Sequence, residues 1–72
     1  MQNKERILQV KFVIEEFLFE KGNFSIDDIY YFLYGIGLYK KFYKNEIEKI
    51  VTFLIKGKDI RVRKENKLFF AL

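Results

Sequence analysis

Asn45-Glu46-Ile47-Glu48-Lys49-Ile50-Val51-Thr52-Phe53-Leu54-Ile55-Lys56-Gly57-Lys58-Asp59-Ile60-Arg61-Val62 is the stretch on which the fold turns. Ile47, Ile50, Val51 and Leu54 recur at three- and four-residue spacing and so share one face of a helix. Asn45 with Glu48 three positions on makes a variant of the capping box, asparagine standing for serine or threonine, and predicts a helix opening at Asn45. Lys56 and then Gly57 predict its end: a cation against the negative pole of the dipole, followed by a left-handed cap free of Cβ strain. Glu48, Lys49, Thr52 and Lys56 are left on the solvent face. Past the glycine the period shortens to two, with Ile60 and Val62 pointing one way and Arg61 and Arg63 the other, which predicts a strand.

After Lys64-Glu65-Asn66 the alternation resumes, with Leu68, Phe70 and Leu72 on a shared face. A two-residue loop at Glu65-Asn66 would pair Val62 with Phe69 and Arg61 with Phe70, mixing apolar and basic faces. A three-residue loop at Lys64-Glu65-Asn66 pairs Val62 with Leu68 and Ile60 with Phe70. The odd-numbered loop is therefore predicted, with Asn66 in the left-handed conformation. Burial enforces the choice, because a one-residue slip turns an apolar set outward.

Upstream, residues 3–21 are helical in pattern, with Ile7, Val10, Ile14, Phe17 and Leu18 on one face and Gly22 as the stop. Leu8, Phe12 and Phe19 form a second stripe around the same helix. Either the C-terminal hairpin or the chain's own ends cover it, which is the expectation preferred here, or it is the seam of a homodimer. Asn23-Phe24 reads as a short extended step. Ser25 caps a second helix by accepting from the Asp28 N–H, with Asp27 and Asp28 favoured by the dipole in the first turn. That role accounts for both aspartates without a catalytic one. Ile26, Ile29, Tyr30 and Leu33 face inward, the helix runs to about Tyr34, and Gly35 ends it. Leu38 and Phe42 are expected to plug the core from the following turn. Gly35-Ile36-Gly37 is no phosphate loop, since it lacks a third glycine or a Gly-Lys-Ser/Thr ending.

The order of helix, extended step, helix, turn, helix and basic hairpin, carried best by residues 45–62, resembles the winged-helix branch of helix-turn-helix domains. The resemblance spans residues 1–72 as a single domain and implies an α+β, mostly α fold: three helices with a C-terminal two-stranded β-hairpin as the wing. It further implies that the third helix enters the major groove of DNA and that the wing follows the backbone or the minor groove. On that basis Lys49, Thr52 and Lys56 face the groove, and Tyr43 and Lys44 lie near the helix entrance. Arg61, Arg63, Lys64 and Lys67 become wing contacts. Lys40 and Lys41, in the run before the helix, complete the candidate DNA-binding set. Glu46 and Glu48 stabilise the start of the helix through its dipole but oppose phosphates there.

Composition bounds the function. Seventy-two residues make one domain with a modest core, half of the residues being apolar and 19% aromatic. The chain has no cysteine and no histidine, which removes disulfides, thiolate metal sites and the usual general base. The expectation is a protein that is not an enzyme and uses no cofactor, metal or evident small-molecule ligand. The opening residues lead directly into a charged amphipathic stretch, so no signal peptide is expected. No apolar run approaches the roughly 20 residues of a membrane span. A cytoplasmic location is expected, in the nucleoid if DNA is the partner.

Net charge is +4, distributed unevenly. Residues 1–36 carry four basic and six acidic side chains, residues 37–72 ten and four. A one-sided basic surface favours a polyanion, because neutralised phosphates release counterions. Double-stranded DNA is thus the expected partner, for a transcriptional regulator or an accessory factor, with a possible homodimer through the first helix. The alternative is a protein–protein module using that helix's apolar stripe and the tyrosines Tyr31, Tyr34, Tyr39 and Tyr43. A weaker third expectation is RNA, with Tyr39 and Tyr43 stacking unpaired bases between Lys40, Lys41 and Lys44.

Overall fold

The computed structural model describes residues 3–36 and 42–72. Helix α1 (Lys4–Lys21) starts where the Asn3 side chain accepts from the Glu5 N–H and stops at Gly22, whose φ of 76° and N–H bonds to the Phe17 and Leu18 carbonyls close the last turn. Two extended residues follow as β1 (Asn23–Phe24). Helix α2 (Ile26–Gly35) begins with a full capping box: Ser25 Oγ accepts from the Asp28 N–H, and the Asp28 carboxylate accepts from the Ser25 N–H, both at 3.0 Å. It runs one residue past the predicted end, so Gly35 closes the helix from within and Ile36 takes the cap. Then come α3 (Lys44–Lys56), β2 (Val62–Glu65) and β3 (Leu68–Ala71). The fold is α+β and mostly helical, with three helices and a three-stranded antiparallel sheet of order β1-β3-β2.

One core joins these elements: Val10, Val13 and Ile14 from α1, Phe24 from β1, Ile29 and Leu33 from α2, with Ile47, Ile50, Val51 and Leu54 from α3. Phe42, Ile60 and Phe69 complete it. The α3 stripe is as predicted, and Phe42 plugs the core as expected; Leu38 lies outside the described residues. On α1, Ile7, Phe17 and Leu18 are only half-buried, whereas Val13, absent from the predicted stripe, is buried.

Both ends of α3 depart from expectation. The helix opens at Lys44 with Tyr43 as N-cap, not at Asn45, and the Tyr43 side chain makes no cap hydrogen bond. The reason lies one residue later. Glu46, now the third helical residue, receives the Tyr43 backbone N–H and is held from the other side by Arg6. At the far end Gly57 has a right-handed φ of −79°, and Lys58 takes the left-handed position at φ 59°. A Cβ at Gly57 would meet only the end of the Asp59 side chain closely, Oδ2 at 2.8 Å, and that carboxylate can move aside.

The hairpin corrects the predicted register. Its loop has two residues, Asn66 and Lys67, so Glu65 faces Leu68, Lys64 faces Phe69, Arg63 faces Phe70 and Val62 faces Ala71. Asn66 does take the left-handed conformation, at φ 59°. Phe69 rather than Phe70 turns to the core, while Leu68 and Leu72 are exposed. Leu68-Phe69-Phe70-Ala71-Leu72 is apolar on both faces, so period two cannot choose between them. The third strand chooses. Pairing with β3 sets Phe24 opposite Phe69, and the two rings stack at 4.9 Å with 11° between their planes. Burying each ring contributes about 1.5–3 kcal/mol, which outweighs the smaller gain available to Phe70 on the solvent face.

Candidate nucleic-acid interface

At 100° per residue, Asn45, Glu48, Lys49, Thr52 and Lys56 line up along the side of α3 opposite its buried stripe, and all five are exposed. The hairpin brings further cations to the start of this ridge. Ser25, Ile26 and Asp27 at the start of α2, Lys44, Asn45 and Glu48 at the start of α3, and Lys64, Lys67 and Phe69 of the hairpin line an open concavity of about 450 Å³. Three lysines from two elements thus converge beside the helix predicted to read DNA.

The ion pairs sort the cations into two groups. Arg6 grips Glu46 through Nε at 2.6 Å and Nη2 at 2.8 Å, with its guanidinium 4.0 Å from the centre of the Phe42 ring. The hydrogen bonds from Arg6, its charge and the Tyr43 N–H hold the Glu46 carboxyl below its ordinary range, against the opposing effect of burial. Lys11 pairs with Glu15, Lys21 with Asp28, and Lys44 with Asp27 at 3.0 Å. The hydrogen bond to Asp27, followed by the charges of Asp27, Tyr31 and Tyr30, raises Lys44 above its ordinary range. Its ammonium lies 5.2 Å from the Tyr30 ring centre and 5.4 Å from that of Tyr31.

By contrast, Lys49, Lys56, Lys58, Arg61, Lys64 and Lys67 have no carboxylate within 4.0 Å among the described residues. On the hairpin only Arg63 is paired, with Glu65 at 2.7 Å, and it also covers the Phe70 ring at 4.8 Å. Lys64 lies 5.5 Å from the Phe69 ring centre. Strand pairing explains the split: Lys64 shares the face of Phe69 and Phe24, and Arg63 the opposite face with Phe70 and Asn23.

The predicted contact residues therefore fall unevenly. Lys49, Thr52 and Lys56 stand together on the α3 ridge, and Lys44, Lys64 and Lys67 line the concavity. Tyr43 is exposed at the N-cap. Arg61 is exposed and Arg63 belongs to the outer hairpin face. Lys40 and Lys41, like Tyr39, lie outside the described residues. Thr52 Oγ1 donates to the Glu48 carbonyl at 3.0 Å, so its proton is committed and its methyl and lone pair are what it can offer a base. Two polar groups escaped sequence reasoning. Asn45 reads as a cap but is an exposed amide on the ridge, and Lys58, given no role from the sequence, is an unpaired cation between α3 and the hairpin. For Asn45 the missed signal was the helix start one residue earlier; nothing in the sequence pattern singles out Lys58.

On α1, Leu8, Phe12 and Phe19 are exposed, so neither the hairpin nor the described chain ends cover them and the preferred expectation fails. The sheet packs where β1 leads it, against the core side of the helices. Among the described residues no three acidic side chains gather as a metal site would require, and no helix is long and apolar enough to cross a membrane. No protein-family model, curated protein or solved structure matches the chain.

Proposed function

We propose that this chain is a winged-helix domain that binds double-stranded DNA, as a transcriptional regulator or DNA-associated accessory factor. Helix α3 presents its Lys49–Thr52–Lys56 ridge to the major groove, and the β2–β3 hairpin lies along the phosphate backbone. The observation that carries this reading is the partition of charge. Cations on the α1 and α2 side are largely matched by carboxylates, while those of the α3 ridge and of the hairpin, Arg63 excepted, are left for an external anion. Glu46 faces Arg6 of α1, which removes one of the two carboxylates that would oppose phosphates. Glu48 remains. With few Asn, Gln or Arg side chains on the ridge, backbone and shape contribute more to binding than a base code does.

The test is binding of random-sequence duplex, followed by anisotropy over a salt series. About five phosphate contacts give log affinity against log salt a slope of about −4 to −5. Alanine at Arg61, Lys64 and Lys67 together should flatten that slope by about 2–3, and Glu48→Gln should strengthen binding by removing a repulsion. An unchanged slope in the triple variant refutes the reading. So does a wild-type chain that fails to bind at low salt.

A further inference from the structure

The outer face of α1 is an apolar surface that duplex binding leaves unused. At about 100° per residue, Leu8, Phe12 and Phe19 lie within about 40° of one another, on the side of α1 directly opposite Val10. They are 54%, 64% and 89% exposed, while Val10 is fully buried. With roughly 200 Å² for a whole phenylalanine side chain, the three leave about 400 Å² of apolar surface open per protomer. Two such patches laid together remove about 800 Å². The flanking stems of Lys11, Glu15 and Glu16 bring the total to the low end of the roughly 1,200–2,000 Å² that specific interfaces bury.

We propose that two copies of this chain pair through α1, antiparallel about a twofold axis that passes near residues 13 and 14. That placement sets Leu8 of each copy against Phe19 of the other and the two Phe12 rings against each other across the axis, and it closes on itself as an isologous contact must. The charges at the edges of the stripe fit the same arrangement. A twofold normal to the plane of two antiparallel helices brings each edge against the same edge of its mate. One edge carries Lys11 and Glu15, which form an ion pair at 3.8 Å within the helix; in the pair each also meets its opposite across the seam. The other edge carries Glu5, Glu16 and Glu20, whose mutual repulsion salt relieves. Each chain is also net positive, so association withstands high salt, the reverse of what duplex binding does. None of the ridge or hairpin cations lies on α1, and the pairing leaves them open.

Sedimentation equilibrium of the full chain between about 5 and 500 μM, in low and high salt, tests this, with far-UV circular dichroism confirming that each variant is folded. The expected result is a monomer–dimer equilibrium that high salt does not weaken. Phe12→Ser and Phe19→Ser, both at exposed positions, should each raise the dissociation constant at least tenfold. Lys11→Glu and Glu15→Lys should each weaken association singly, and the double exchange should restore it. A chain that stays monomeric throughout, or a dimer indifferent to the phenylalanine variants, overturns the proposal and leaves the stripe to a different protein. A double exchange that fails to restore association overturns the antiparallel arrangement. The outcome is independent of duplex binding, which the Phe19→Ser protein should retain with its salt dependence.

Discussion

Replacing Phe69 with alanine should cost several times more stability than replacing Phe70, although the two residues are adjacent and chemically identical. Phe69 is 6% exposed and its ring stacks on Phe24, which has no exposed surface at all. Truncation removes nearly the whole transfer gain of the ring and opens a cavity against Phe24, together about 3–5 kcal/mol. Phe70 sits half-buried on the outer face of β3 under the Arg63 guanidinium, so its loss removes partial burial and one exposed cation–π contact, about 1 kcal/mol. A domain of this size has a total stability of about 4–11 kcal/mol, so Phe69→Ala can leave the chain unfolded. Phe69→Leu then provides a folded comparison at about 1–1.5 kcal/mol. Urea denaturation followed by far-UV circular dichroism yields all three values from midpoints and slopes. If Phe70→Ala proves as costly as Phe69→Ala, β3 has the opposite face inward and the two-residue loop is wrong.

The remaining expectations concern the helix ends and the Arg6–Glu46 pair. Gly22→Ala forces a Cβ into φ 76° and should cost about 1–2 kcal/mol. Gly57→Ala, at a right-handed φ and opposed mainly by the movable Asp59 carboxylate, should stay within about 0.5 kcal/mol by the same urea titrations. Glu46→Gln weakens a charge-assisted pair between side chains that are each more than four-fifths buried, and should cost about 1–2 kcal/mol at neutral pH. Because the folded protein holds the Glu46 carboxyl below its ordinary range, the unfolded chain takes up the proton first as pH falls. The stabilisation is therefore complete above the unfolded value of about 4.3 and is lost as pH drops through the folded one. Wild type and variant should differ by a constant amount from about pH 7 to 6, and the difference should shrink as pH falls below about 4. A difference that persists undiminished at lower pH would show that the loss is steric.

What could be read from the residues followed from how strictly each pattern constrains one face. The α3 stripe is fully apolar on one side and polar on the other, and all four of its predicted core residues are buried. Ser25 with Asp28 is local chemistry, decided by a neighbour three residues away, and that cap formed as read. Failures arose where a distant partner decides. Asn45 has the chemistry of a cap, but Arg6, forty positions away, fixes Glu46 and shifts the helix start by one residue. Leu68 to Leu72 is apolar at every position, and only its pairing with Asn23 and Phe24 selects Phe69 for the core. The step at Asn23-Phe24 was legible as extended, but two residues carry no record of the strand they join. For the candidate interface, residue identity was legible and neutralisation was not. Nothing in the order of the chain marks Lys44 as held by Asp27 while Lys49 and Lys56 remain unpaired.

The two glutamates at the start of α3 show how one sequence pattern divides into separate roles. Both favour the helix through its dipole, and a linear reading sets both against an approaching phosphate. In the fold they are about 200° apart around the helix axis. Glu46 points to α1, takes two hydrogen bonds from Arg6, and ties the first helix to the third close to the Phe42 plug. Its charge is thereby matched before any ligand arrives. Glu48 lines the concavity with Lys64 and Lys67, and no cation among the described residues lies within 4.0 Å of it. A single unmatched carboxylate among Lys44, Lys64 and Lys67 leaves the cations in the majority there, but it weakens the attraction for phosphates close to it. It also leaves an acceptor at the mouth of the ridge, which a cytosine amino group can use and a phosphate cannot. Under the proposed duplex binding, Glu48 thus weakens non-specific attraction and joins Asn45 and Thr52 as a side chain able to meet a base edge.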